Sequence, residues 1–250
     1  MEKVLEITDF SKAYDGNKPA VDNISLSVEK GEIFGFIGHN GAGKSTTIKS
    51  VVGILPLHGD NIQICGMSLW GQKKECQKNM AYIPDNPDLY EYMTGIGFIN
   101  FIADAYRVPT EERTQRIEEL ADAFEIKNQL GDLISSYSHG MKQKVALITA
   151  FVHKPKLLVL DEPFVGLDPK ASAVLKQYMR KLCNEGSAIF FSTHVLEVAE
   201  KLCDRIAMID HGHIVVQGKV DDLTKDKSLE EVFLEQLQIQ KATHEEETNA

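Results

Sequence analysis

Cysteine is scarce and scattered in this chain: Cys65, Cys76, Cys183 and Cys203 are the four in 250 residues, and none form a C-x-x-C pair. That spacing gives no support to a metal site or a disulfide framework and suits buried thiols in a reducing compartment. Long apolar stretches are missing as well. The longest uncharged run, Tyr92 to Ala103, is about a dozen residues, short of the roughly twenty a membrane span requires. Glu2, Lys3, Glu6 and Asp9 interrupt the layout a secretory leader would need. Basic charge is also in deficit, with 27 Lys and Arg against 37 Asp and Glu, a net charge of −10. This argues against broad electrostatic binding of nucleic acid, so any anionic ligand must be captured locally. The chain is expected to be soluble by itself and still able to work at a membrane.

A hydrophobic content of 43% over this length permits a full core and one large α/β domain. Val4 to Phe10 and Ile24 to Val28 alternate apolar and polar positions, as half-exposed strands do, with a turn at Asp15-Gly16-Asn17. Ile62 with Ile64, Met80–Ile83, Leu157–Leu160, Ala188–Phe191 and Ile206–Ile209 follow as strands. Helical segments such as Ala171 to Cys183 separate the later ones. From Asn86 to about His153 the pattern is helical, and Ile117, Leu120, Ala121 and Phe124 form one stripe. An inserted helical lobe over residues 86–153 is the expectation. Alternating β and α units imply a parallel sheet with helices on both faces. Ser228 and Glu231 make a capping box before Val232, Phe233 and Leu237, and residues 238–250 are expected to be a disordered tail. No internal repeat is visible.

The chemistry is concentrated in Gly38-His39-Asn40-Gly41-Ala42-Gly43-Lys44-Ser45-Thr46, directly after the apolar run Ile33 to Ile37. The pattern G-x-x-x-x-G-K-[ST] lets backbone N–H groups curl around an anion at a helix start. Lys44 then meets outer phosphates and the Ser45 hydroxyl is offered to Mg²⁺. Downstream, the strand Leu157 to Leu160 ends in Asp161-Glu162. Taken alone this pair also fits a solvated strand end. With a phosphate cradle upstream, Asp161 can hold Mg²⁺ and Glu162 can polarise a water. Tyr137-Ser138-His139-Gly140-Met141-Lys142-Gln143-Lys144 lies between them, and by itself Ser138 fits a helix N-cap.

In this combination the chain resembles an ATP-binding cassette (ABC) ATPase subunit. The family's Leu-Ser-Gly-Gly-Gln signature matches at Ser138, Gly140, Lys142 and Gln143 and departs at Tyr137, His139 and Met141. Tyr14 sits where the family stacks an aromatic ring on adenine, although a packed strand-end aromatic would look the same. Gly166-Leu167-Asp168 matches the D-loop, and His194 after Ser192-Thr193 matches the switch histidine. Asp85, after Tyr82-Ile83-Pro84, replaces the usual Gln at the loop that senses Mg²⁺ and water. An ionised carboxylate accepts there but cannot donate. Val165 replaces a common Ser or Thr. The remaining histidines, including His211 and His213, have no partners at metal spacing and are expected to face solvent.

The resemblance implies a P-loop NTPase fold: a mainly parallel sheet core, an N-terminal antiparallel β subdomain and an inserted helical subdomain, together spanning residues 1–237. It implies ATP and Mg²⁺ as ligands, with Ser45, Asp161 and Asp85 on the metal and Glu162 and His194 as catalytic groups. It also implies a head-to-tail pair of cassettes, in which Ser138 and Gly140 complete the partner's site and Asp168 helps order it. The partners would be a second cassette and a separate transmembrane permease, with the chain on the cytoplasmic face of the membrane. The signature form, the stretch Tyr82 to Thr94 and the terminal helix are similar to bacterial exporter cassettes, including the Ecs-type group. A soluble cassette acting on nucleic acid or ribosomes, and a nucleotide switch without turnover, are the alternatives.

Overall fold

The computed structural model describes residues 2–14, 19–236 and 238. The turn expected at residues 15–17, Leu237 and residues 239–250 lie outside these, and Gln238, the one described residue of the expected tail, is helical. Two sheets are stacked. The first has strand order β2-β1-β4-β5, from β1 (Lys3–Ala13), β2 (Pro19–Glu29), β4 (Ile62–Ile64) and β5 (Met67–Ser68), all antiparallel. The second is built from β3 (Ile33–Ile37), β6 (Met80–Ile83), β7 (Leu157–Asp161), β8 (Ala188–Thr193), β9 (Arg205–Asp210) and β10 (His213–Lys219). Its order is β10-β9-β3-β8-β7-β6, parallel except for β10 at the edge.

Both faces of the parallel sheet are covered, which is why its strands are nearly unbroken apolar runs. Alternate residues divide between two cores. Ile33, Ile37, Leu158, Leu160, Ile189 and Phe191 pack toward the helices, while Phe34, Phe36, Leu157, Val159 and Phe190 pack with the antiparallel sheet. Phe190 is the centre of the second core, its ring 5.4 Å from that of Phe36 and 6.0 Å from that of Phe34.

Between β6 and β7 the chain forms α3 (Gly95–Ala105), α4 (Thr110–Ala123) and α5 (His139–Val152). The stripe of Ile117, Leu120, Ala121 and Phe124 is buried. The helical pattern begins later than the sequence suggested, at Gly95 and not at Asn86. Pro84 and Pro87 hold the residues before them away from helical angles, and Thr94 sets the start by accepting from the Gly97 N–H at 3.1 Å. Residues 89–93 are fixed instead by Leu89, which is buried, and by the Ile134 and Ser135 N–H groups donating to the carbonyls of Met93 and Glu91. The remaining helices are α1 (Lys44–Val51), α2 (Lys73–Lys78), α6 (Pro169–Asn184), α7 (Leu196–Leu202), α8 (Val220–Leu223) and α9 over residues 229–236. Ser228 and Glu231 form the expected reciprocal cap, with Ser228 N–H donating to Glu231 Oε2 at 2.8 Å and Glu231 N–H to Ser228 Oγ at 3.3 Å. No helix among the described residues is long and apolar enough to cross a membrane.

Candidate functional site

Strand register brings the key residues to one end of the parallel sheet. Ile37 of β3 pairs with Thr193 of β8, and Asp161 of β7 pairs with Ser192. The loop leaving β3, the carboxylates leaving β7 and the histidine leaving β8 therefore share an edge, the place where such sheets bind ligands. The loop turns into α1 at Gly43, whose φ of 114° lies in the region glycine tolerates. A Cβ there would stand 2.7 Å from the Ala20 carbonyl oxygen.

A cavity of about 330 Å³ opens beside the loop, lined by Ala20, Asn40, Gly41, Gly43, Lys44, Ser45, Thr46, Asp85, Asp161 and Glu162. Lys44 Nζ donates to the carbonyls of Gly38 at 2.5 Å and His39 at 3.1 Å and lies 3.7 Å from Glu162 Oε1. Burial pushes the Lys44 ammonium pKa down, while Glu162 and Asp161 pull it the other way. His194 Nδ1 is 2.9 Å from Glu162 Oε1. Asp161 is buried, and its Oδ1 accepts from Ser192 Oγ at 2.5 Å. The same Ser192 oxygen accepts from the Glu162 N–H at 3.2 Å. Ser192 thus fixes both carboxylate residues, a positioning role the sequence reading missed. Its signal was a hydroxyl at the end of a buried strand beside Asp161. The Tyr14 hydroxyl is 3.3 Å from Thr46 Oγ1, with the ring 54% exposed at the mouth of the loop.

Several expected site residues do not line this cavity. Gly38 and Ala42 shape the loop from behind. The His39 ring turns away from the cavity, and its Nε2 lies 2.6 Å from Asp210 Oδ1. Ser138, Gly140 and Asp168 gather at a second place. Ser138 caps α5 by accepting from the Met141 N–H at 3.3 Å, and a Cβ on Gly140 would sit 2.8 Å from the Gly166 carbonyl oxygen. Asp168 caps α6 and pairs with Lys144 at 3.2 Å; the Ala171 N–H and Lys144 hold its carboxyl below the usual carboxylate range. Gln143 joins the two places, its Nε2 donating to the Pro163 carbonyl just after Glu162.

Two histidine expectations are corrected. His211 is not without partners: His39, Asp210 and His211 bring ligand atoms within 4.8 Å of one another, because the β9–β10 turn lies against the loop after β3. His153 is half-buried and not free in solvent. It stacks on Tyr106 with ring centroids 3.9 Å apart, both nitrogens are buried without a hydrogen-bonding partner, and burial lowers its pKa to about 4.

The ABC transporter family profile matches residues 21–165, more than half of the 250. The chain belongs to the ABC transporter family. It is 34% identical to the ABC-type transporter ATP-binding protein EcsA of Bacillus subtilis over 97% of this chain and 99% of that one. It is 34% identical to the linearmycin resistance ATP-binding protein LnrL of Bacillus subtilis, covering 88% of this chain and 70% of that protein. A solved ATP-binding subunit of an ABC transporter superposes with a TM-score of 0.89 at 34% identity, over 94% of this chain and 99% of that one. This ABC protein is therefore an ATP-binding subunit with ATPase activity coupled to transport. The α/β fold with a mainly parallel sheet agrees with its structural neighbours.

Proposed function

We propose that this subunit works as one half of a head-to-tail pair, closing around two Mg²⁺-bound ATP molecules to drive export through a separate membrane-spanning subunit. The observation that carries the reading is the separation of the site into two places. The cavity holds Lys44, Ser45, Asp161 and Glu162, whereas Ser138, Gly140 and Asp168 lie outside it. An opposing cassette would supply what the cavity lacks, presenting the start of α5 to the outer phosphate.

The donor set fits a magnesium triphosphate. Three carboxylates and one ammonium line the cavity, an excess of negative charge that a bare polyphosphate would worsen and a divalent cation would offset. Hydroxyl and carboxylate oxygens from Ser45, Asp161 and Asp85 suit a hard cation. When bound, Mg²⁺ would neutralise charge on the phosphate oxygens. The loop N–H groups and Lys44 hold the phosphates, Tyr14 offers its ring to the base, and Glu162 accepts a proton from the attacking water. His194 keeps Glu162 oriented through the 2.9 Å contact.

A groove of about 340 Å³ lies between β6, α3 and α5, lined by Tyr82, Pro84, Leu89, Phe98, Ile102, Tyr106 and His153 among others. Its apolar walls suit a short helix of the membrane subunit, which would hold the chain on the cytoplasmic face. Export is supported by the similarity to a relative named for resistance to linearmycin, a trait that outward transport of the compound would give.

The test uses Glu162→Gln protein with MgATP. The pairing reading expects an ATP-dependent dimer by light scattering that Ser138→Arg abolishes; a monomer at saturating MgATP overturns it. Copurification of a polytopic membrane protein with the tagged chain tests the permease, and its persistent absence from detergent-solubilised native membranes counts against that partner.

A further inference from the structure

We propose that His39, Asp210 and His211 form a binding site for a borderline divalent metal of the Zn²⁺ class, separate from the Mg²⁺ site, that clamps the phosphate loop to the β9–β10 turn. Two imidazoles and a carboxylate are the donors that Zn²⁺, Ni²⁺ and Co²⁺ favour and Mg²⁺ does not. Their ligand atoms already lie within 4.8 Å of one another.

The tautomer of His39 points the same way. Its Nδ1 lies 2.7 Å from the Asn40 carbonyl oxygen, which can only accept, so with a metal on Nε2 the ring would keep an N–H on Nδ1 to donate to that carbonyl. Nε2 stands 2.6 Å from Asp210 Oδ1. A ring nitrogen and a carboxylate oxygen this close are bridged by a proton, and a metal ion held between them would take that proton's place. An N–H donated to a backbone carbonyl from the other ring nitrogen is the usual support for a metal-bound histidine.

Asp210 is anchored. It is buried at the end of β9, with Oδ1 toward His39 and Oδ2 3.9 Å from His211 Nε2. His211 has φ of 45° in the tight turn, and its side chain is 71% exposed, so the ring is free to rotate inward. Tetrahedral Zn²⁺ holds its ligand atoms roughly 3.3 Å apart. The His39 contact must open slightly and the His211 ring must close in, both side-chain motions. Three protein ligands leave a fourth position for water. The turn and the loop are already joined by the Gly212 N–H donating to the Ala42 carbonyl at 2.9 Å. A metal ion across His39 and His211 would add a second tie at the same junction. Because the His39 ring points away from the nucleotide cavity, the site should fill without nucleotide.

Nucleotide-free protein should take up one Zn²⁺ per chain in competition with a chromophoric chelator, with millimolar Mg²⁺ failing to displace it. His211→Ala should weaken Zn²⁺ by at least about tenfold, while His213→Ala and His58→Ala leave it unchanged. Co²⁺ should give visible bands of a tetrahedral nitrogen and oxygen site, lost in His211→Ala, with no thiolate charge-transfer band. His211 is exposed, so this variant keeps the fold, and unchanged ATP binding by it confirms that. Equal Zn²⁺ affinity in wild type and His211→Ala, displacement by Mg²⁺, or a thiolate band each overturns the proposal. None of these results bears on ATP pairing.

Discussion

Acidification should destabilise this protein through one residue far from its chemistry. His153 follows α5 with its ring stacked on Tyr106 and both nitrogens buried. The Met80 and Thr149 carbonyls favour the charged form but lie outside hydrogen-bonding geometry, so burial dominates and the pKa falls from 6.5 to about 4. Between these values the unfolded imidazole binds a proton that the folded one refuses. The unfolded state then holds more protons, and stability falls as pH falls. Fully developed below pH 4, the loss would be about 3 kcal/mol, at 1.36 kcal/mol per unit.

The chain's pI of about 5.3 makes the lower range unsuitable for measurement. Between about pH 7.5 and 5.8 the same linkage amounts to about 1 kcal/mol. For a chain of this size that is a melting-temperature change of about 2–4 °C. Other groups titrate in this range too, so the quantity that matters is wild type minus His153→Leu. The Leu variant changes packing equally at both pH values and carries no proton. Calorimetric scans at the two pH values should show wild type losing about 1 kcal/mol more than the variant. A difference that stays flat with pH would refute the assignment of His153 as a buried neutral imidazole.

The remaining expectations concern the nucleotide site. Glu162→Gln keeps the shape and removes the carboxylate proposed to accept the proton, so steady-state hydrolysis should fall by at least about tenfold with MgATP binding retained; equal rates would show that Glu162 is not the base. Lys44→Ala removes the ammonium that sits 3.7 Å from Glu162, and calorimetric titration should show weaker ATP binding or hydrolysis assays slower turnover. Ser138→Arg should leave ATP binding to the monomer intact while preventing the dimer, read by light scattering. Asp85→Gln replaces an exposed carboxylate on the cavity wall with an amide, so the Mg²⁺ concentration for half-maximal hydrolysis should rise.

Much of this arrangement was legible in the sequence, for identifiable reasons. A strand buried on both faces must be apolar throughout, so β7 and β8 stand out as runs, and Asp161-Glu162 stands out at the end of one. The glycine pattern of the phosphate loop records a close approach of backbone to backbone, seen at Gly43 and Ala20. Short or polar elements leave no such mark. Strand β5 has two residues, and α2 buries only Cys76 of its six. Residues 86–94 looked helical because apolar residues recur there, yet the hydrogen bonds to Met93 and Glu91 come from residues 134 and 135, some forty positions away. His39 and Asp210 are separated by 171 positions, and only the register of β9 beside β3 brings them together.

That same long-range order suggests how closure at one face can reach the chemistry at another. Glu162 lies at φ of 48°, and its N–H is fixed by Ser192. One residue on, the Pro163 carbonyl takes the Gln143 side chain, which is fully buried on α5. The Val165 N–H donates back to the Glu162 carbonyl at 3.1 Å, Gly166 packs on Gly140 and His139, and Asp168 pairs with Lys144. Every second or third residue between Glu162 and α6 is thus tied to the strand end or to the first two turns of α5. A pull on Ser138 and Gly140 by an opposing subunit cannot be absorbed by slack in this segment. On the proposed pairing it would be passed to the backbone that aims Glu162, so that pairing and hydrolysis would share one mechanical element. Weakening that element at Gln143, by substitution with Leu, should therefore lower hydrolysis in the dimer more than it lowers ATP binding by the monomer; an equal effect on both would mean that Gln143 serves folding alone.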